Sequence, residues 1–164
     1  MHLQRQISRK LYDEHIAVIA LLGRFEQALT RLRGAPPAAQ DPVWSVLLPQ
    51  LATALQHEIT RHFDLEEKEL FPRLHARGEG DLAELLLEEH GPIREVGRTL
   101  LGLVKRARSA ELDVAGWQAL KVAGLELAER LTSHAEKEQG ALVPLVDEML
   151  DEDTDAQLAM EYAL

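Results

Sequence analysis

A chain of 164 residues with 46% hydrophobic and 28% charged side chains has the size and balance of one globular domain with a real core. The formal net charge of −10 argues against nucleic acid as a partner. No apolar run reaches the roughly 20 residues of a membrane span, and the lack of cysteine excludes disulfide frames and thiolate metal sites. The start, Met1-His2-Leu3-Gln4-Arg5, leads into no apolar signal region, so the cytoplasm is the expected location.

Leu, Ala and Glu dominate and aromatics make up only 4%, which favours helix over sheet. Four segments carry helical periodicity. The first runs from about Leu3 to Arg33 and stops at Gly34 before Pro36 and Pro37. The second opens at Asp41-Pro42, a capping residue followed by a first-turn proline, and ends at Arg77-Gly78. Pro49 is expected to kink or delay it. The third begins near Asp81 and runs to about Arg108, with a distortion expected at Gly91-Pro92. The fourth runs from about Asp113 to Leu150. Short connections between long helices imply an all-α, antiparallel, up-down-up-down four-helix bundle over residues 1–150. Residues 151–164 read as an acidic, solvated tail or a short closing turn.

An internal repeat organises these segments. The second reads His62-Phe63-Asp64-Leu65-Glu66 and then Leu70-Phe71-Pro72; the fourth reads His134-Ala135-Glu136-Lys137-Glu138 and then Leu142-Val143-Pro144. The first and third share an acid-flanked histidine, Asp13-Glu14-His15 and Glu88-Glu89-His90. Two hairpins of one design result. A bare His-x-x-x-Glu carries little information. His75 with Glu79 is a further instance, but Gly78 and Gly80 break the helix between them. The matched proline offset is harder to obtain by accident.

Residues four apart on a helix stand one above the other, so His62 with Glu66, and His134 with Glu138, point the same way. At about 100° per residue, each of His15, His62, His90 and His134 falls in a stripe that is otherwise core. Burying four imidazoles and two carboxylates without compensation is costly, and a pair of metal ions compensates all six. Imidazole suits iron, copper or zinc, and a carboxylate can bridge two ions. Each ion then has two imidazoles and a share of two carboxylates, with positions left for an exogenous ligand. The other histidines read as non-ligands: His57 faces outward, His75 lies near a helix end and His2 at the chain start. Glu58 and Glu69 fall within about 40° of His62 and are candidates to sit beside the site. Tyr12 reads as packing.

These residues resemble the hemerythrin-like, or HHE cation-binding, family. The stretches Ile7 to His15, Arg61 to Pro72 and Glu88 to Arg94 carry the likeness, which extends to Pro144. The resemblance implies a non-haem di-iron centre, oxo- or hydroxo-bridged, with zinc or manganese as other occupants. His15 and His62 would hold one iron, His90 and His134 the other, and Glu66 and Glu138 would bridge. Oxygen-carrying members have a second histidine one turn after the third-helix histidine; here that position is Arg94, free to point at Glu138, Glu66 or a bound anion. They also carry an Asp five residues after the fourth-helix histidine, where this chain has Glu138 at four. Ferritin-like sites use Glu-x-x-His, and no histidine here has that pattern.

The functional expectation is a metal-binding protein that takes up or senses dioxygen, nitric oxide or iron. The alternatives are a di-iron redox enzyme acting on peroxide or nitric oxide, supplied by an unknown redox partner, and an interaction module without a native metal. Binding or sensing is the favoured reading over enzymatic turnover.

Overall fold

Apolar residues spaced three and four apart give α1 (Gln6–Thr30) one buried face, made of Ile7, Leu11, Val18, Leu22, Phe25 and Leu29. In the computed structural model, which describes residues 2–164, four more helices follow: α2 over residues 42–76, α3 (Gly80–Arg108), α4 over residues 114–149 and α5 (Glu152–Ala163). No strand occurs among the described residues. Asp41 accepts from the amides of Val43 and Trp44 to start α2, Asp113 from Gly116 to start α4, and Asp151 from Thr154 to start α5. The left-handed backbone of Gly78 (φ +88°) ends α2, and the Glu79 amide closes back on the Leu74 carbonyl at 2.8 Å.

Two apolar cores fix the topology. Phe25, Leu51, Leu55, Ile93, Leu100, Leu127 and Leu131 belong to one. Ile7, Leu11, Leu70, Leu74, Leu86, Leu142 and Val146 belong to the other. Along α1 and α3 the second core comes first; along α2 and α4 the first does. The four helices therefore alternate in direction, and each packs on two neighbours in an up-down-up-down bundle. Gly124 lets α4 press against α1, since a Cβ there would lie 2.6 Å from the Phe25 ring.

The proline expectations change. Pro49 sits inside an unbroken helical run from Pro42 to His57, and α3 passes through Gly91-Pro92 without a break. The acidic end changes too. Asp155 is buried and accepts from the amides of Gln6 and Ile7 at 2.9 Å each, while Asp147 accepts from those of Gln4 and Arg5. The N-terminus of α1 has no side-chain cap of its own, so these two carboxylates take that role from the far end of the chain. Leu158 joins the second core, so α5 is packed and not a solvated tail. No helix among the described residues is long and apolar enough to cross a membrane.

Candidate metal centre

The six polar residues expected to gather do so, in a layer between the two apolar cores. His15 comes from α1, His62 and Glu66 from α2, His90 from α3, and His134 and Glu138 from α4; all six are buried. Their ligand atoms form two groups, His15-His62-Glu66-Glu138 and Glu66-His90-His134-Glu138, each within a 4.8 Å span. Both carboxylates belong to both groups.

Local sequence shapes the two helices that supply carboxylates. Proline has no amide hydrogen and crowds the carbonyl four residues back. Just before Pro72 and Pro144 the helix widens, so that the Phe71 amide reaches the Glu66 carbonyl and the Val143 amide that of Glu138, each five residues back. A third wide turn spans Glu58–His62. Such π-helical turns concentrate at functional sites. Here each one begins or ends on a polar residue of the buried layer.

The distances show how the carboxylates connect the groups. Glu66 sets one oxygen 2.9 Å from His62 Nε2 and the other 3.0 Å from His90 Nε2. Glu138 Oε1 lies 3.0 Å from His134 Nε2 and 3.4 Å from His15 Nε2. The Nε2 atoms of His15 and His62 are 3.2 Å apart. All four histidines thus present Nε2 inward. Their Nδ1 atoms face outward to supporting groups. His15 Nδ1 donates to Gln139 Oε1 at 2.7 Å, His90 Nδ1 to Glu67 at 2.7 Å and His134 Nδ1 to Glu89 at 2.9 Å. His62 Nδ1 faces Glu14 at 3.6 Å, beyond hydrogen-bond range. Such outer partners fix a ligating ring and raise its basicity.

Sequence reasoning missed these supports, although the repeat contained them. The acid preceding each first-helix histidine faces the second-helix histidine of its own hairpin: Glu89 bonds His134, and Glu14 stands 3.6 Å from His62. The residue after each shared carboxylate, Glu67 or Gln139, backs a histidine of the other hairpin.

Other positions also depart from expectation. His57 does not simply face solvent: its Nε2 lies 2.8 Å from Glu14, and Tyr162 of α5 donates to the same carboxylate at 2.5 Å. Arg94 does not point at Glu66 or Glu138. It pairs with Glu67, donates to the Ile59 carbonyl inside the wide turn, and lies over the Phe63 ring. Glu69 pairs with Arg73 away from the centre, whereas Glu58 is buried with Oε1 3.7 Å from His62 Nε2. Tyr12 packs against the second core, and His75 is exposed near the end of α2.

The electrostatics call for cations. Both oxygens of Glu66 and of Glu138, and Nε2 of His90 and His134, are buried without hydrogen-bond geometry to any partner. Burial and the neighbouring Glu138 push Glu66 well above the ordinary carboxylate range. Burial brings His90 down to about 4 against the opposing pull of Glu67, which leaves a neutral imidazole suited to ligation. Burial also raises Glu58. Burial works to raise Glu14 as well, but His57, His62 and Tyr162 outweigh it and hold its carboxyl below the usual range. Cations among the six would satisfy every unpaired atom that faces inward, so the donor set fits metal.

No curated protein matches the sequence. The family model of the Hemerythrin HHE cation binding domain matches residues 6–154, from the first turn of α1 into α5. The bundle, the buried histidine–carboxylate layer and this match together show that the chain belongs to the hemerythrin HHE cation-binding domain family.

Proposed function

We propose that the protein is a non-haem di-iron protein that binds or senses a small ligand: dioxygen, nitric oxide or iron itself. The observation that carries this reading is the sharing of Glu66 and Glu138 by both four-residue groups. A lone ion would leave half the imidazoles uncompensated. In this reading His15 and His62 hold one iron, His90 and His134 the other, and the two glutamates bridge; zinc or manganese could occupy the same donors. Two bound irons would supply open positions for a small ligand and electrons for its reduction. Gln139, Glu67 and Glu89 hold three of the rings with Nε2 inward, and the apolar cores on either side keep bulk water from the layer.

A second reading is turnover of peroxide or nitric oxide by the same centre, with electrons from a redox partner. It draws support from Arg94, whose guanidinium is engaged by Glu67 and the Ile59 carbonyl. No third imidazole occupies that position, which leaves room for a reacting ligand.

Metal content and the visible spectrum of aerobically purified protein test the main reading. About two irons per chain are expected, with His62→Ala and His134→Ala each losing metal. Zinc alone, or no metal with unchanged stability in His62→Ala, would sink it. Peroxide or nitric oxide consumption faster than that of free iron would move the conclusion to the second reading.

A further inference from the structure

The two hairpins repeat the same buried residues, but the acid in front of each first-helix histidine ends differently. Glu89 accepts from His134 Nδ1 at 2.9 Å and pairs with Lys137. Glu14 holds the matching position one hairpin earlier, yet it stands 3.6 Å from His62 Nδ1. That nitrogen is buried with no hydrogen-bond partner among the described residues, whereas the outer nitrogens of His15, His90 and His134 each have one. Two other groups hold Glu14. The Tyr162 hydroxyl donates to its carboxylate, 2.5 Å from one oxygen and 2.9 Å from the other, and His57 Nε2 lies 2.8 and 3.1 Å from the same two atoms. Both oxygens are engaged before His62 can use either.

Neither group is repeated in the second hairpin. His57 lies five residues before His62; five before His134 the chain has Glu129, and a carboxylate offers no donor. Tyr162 belongs to α5, which follows the repeat and lies beyond residue 154, where the family match ends. The register of α5 delivers the hydroxyl. Asp155, Leu158 and Tyr162 recur at spacings of three and four and share one face of the helix. Asp155 accepts from the amides of Gln6 and Ile7, Leu158 enters the second core, and Tyr162 meets Glu14 further along α1. Arg61, next to His62, donates to the Tyr162 carbonyl and lies 5.5 Å over its ring. The end of α5 is thus tied to the turn that carries His62.

We infer that Tyr162 is a positioning residue: by holding Glu14 off His62, it keeps metal binding in the His15/His62 half weaker than the ligand set alone would give. The inference rests on the metal reading above. With an ion on Nε2, the one hydrogen of the neutral ring sits on Nδ1. A carboxylate that accepts this hydrogen makes the ring a stronger ligand, and such a partner is worth about 10- to 100-fold in affinity. A buried donor without an acceptor is costly, so Glu14, once released, has reason to turn to His62. The α5 helix therefore sets the strength of one half of the centre from outside the four-helix bundle.

Calorimetric titration of the metal-free protein with iron(II), in the absence of oxygen, reads the sign of the effect. The binding step of the His15/His62 half is the one lost in His15→Ala. In Tyr162→Phe that step should tighten by about tenfold while the other step stays put. In a Glu14→Ala background the same substitution should change nothing, because its effect passes through the carboxylate. Proton NMR of the iron-loaded protein gives a second readout: in Tyr162→Phe the Nδ1 hydrogen of His62 should exchange more slowly with solvent, having gained an acceptor. A contact that only holds α5 in place would lower the melting temperature without tightening any step. Weakening or no change of the His15/His62 step, equal tightening of both steps, or an effect that survives in Glu14→Ala would overturn the inference, while two-step binding by the unaltered protein keeps the metal reading. Unaltered protein that takes up no iron would remove both.

Discussion

The two halves of the buried layer use the same residue types but differ in how firmly they are held. In the His90/His134 half, both imidazoles donate to carboxylates, Glu67 and Glu89, and these are neutralised by Arg94 and Lys137. In the His15/His62 half, His15 donates to the neutral amide of Gln139, and Glu14 stands off His62 at 3.6 Å while His57 and Tyr162 engage it. One half is tied down by charged partners and lies under Phe63, which stacks on His90; the other is less firmly held and lies beside the cleft between α1 and α2. A repeat of one hairpin thus gives two unequal sites, because the inequality lies in the residues behind the ligands. Oriented carboxylates make imidazoles stronger ligands. The covered half should bind metal more tightly, and the open half should exchange metal and meet exogenous ligand.

Removing the outer carboxylates tests this difference most severely. Glu67→Gln and Glu89→Gln should each weaken the tighter of two metal-binding steps by about 10- to 100-fold in calorimetric titration, and Gln139→Ala should move only the weaker step. Equal effects of all three on both steps would erase the distinction. A smaller effect is expected from Arg94→Gln. It leaves Glu67 in place but releases its countercharge, and a partly exposed pair of this kind contributes about 1 kcal/mol or less. A several-fold loss in the tighter step alone would sharpen the comparison, and an effect on the weaker step would contradict it.

The smallest effect concerns the support of α1. Burial opposes the charge on Asp147, but the Ser8 hydroxyl and the amides of Arg5 and Gln4 outweigh it and hold its pKa below the ordinary value of 3.8. A carboxylate whose folded pKa is lowered stabilises the fold above the unfolded value and stops doing so as pH falls through the folded one. Asp147→Asn should therefore melt lower than the unchanged protein at neutral pH, and the gap should shrink below about pH 3.8. Metal preference between the halves should not change. If it did, the looseness of the His15/His62 half would come from the α1 terminus and not from Gln139 and Glu14.

Much of this was readable in the sequence. Helical periodicity with Asp41-Pro42, Gly78 and Asp113 marked the four long helices, because caps and stops act locally. The histidines and two glutamates were found because one face of a helix recurs at fixed spacing and the hairpin repeats. What escaped depends on contacts between distant residues. Asp155 reads as a solvated acid until α5 folds back on Gln6 and Ile7. His57 reads as outward by helical angle, but the wide turn beginning at Glu58 and the arrival of Tyr162 give it partners. Arg94 is one turn beyond His90, as for a ligand, and the Ile59 carbonyl, Asp64 and Glu67 turn it elsewhere.

The wide turns before Pro72 and Pro144 also bear on how the chain can tolerate change. Each accommodates one residue more than an α-helical turn, and a single residue advances a helix by about 100°. A one-residue deletion between Glu66 and Leu70 would let α2 close into regular helix while leaving His62 and Glu66 in phase with the layer. Leu70, Phe71 and Leu74 would also keep their phase with the second core, because the wide turn had absorbed the extra residue, whereas an insertion would rotate them out of it. These turns therefore act as phase adjusters between the polar layer and the core below it. Insertions there are predicted to be far less tolerated than in the α1–α2 connection around Pro36 and Pro37, where no helical phase is at stake.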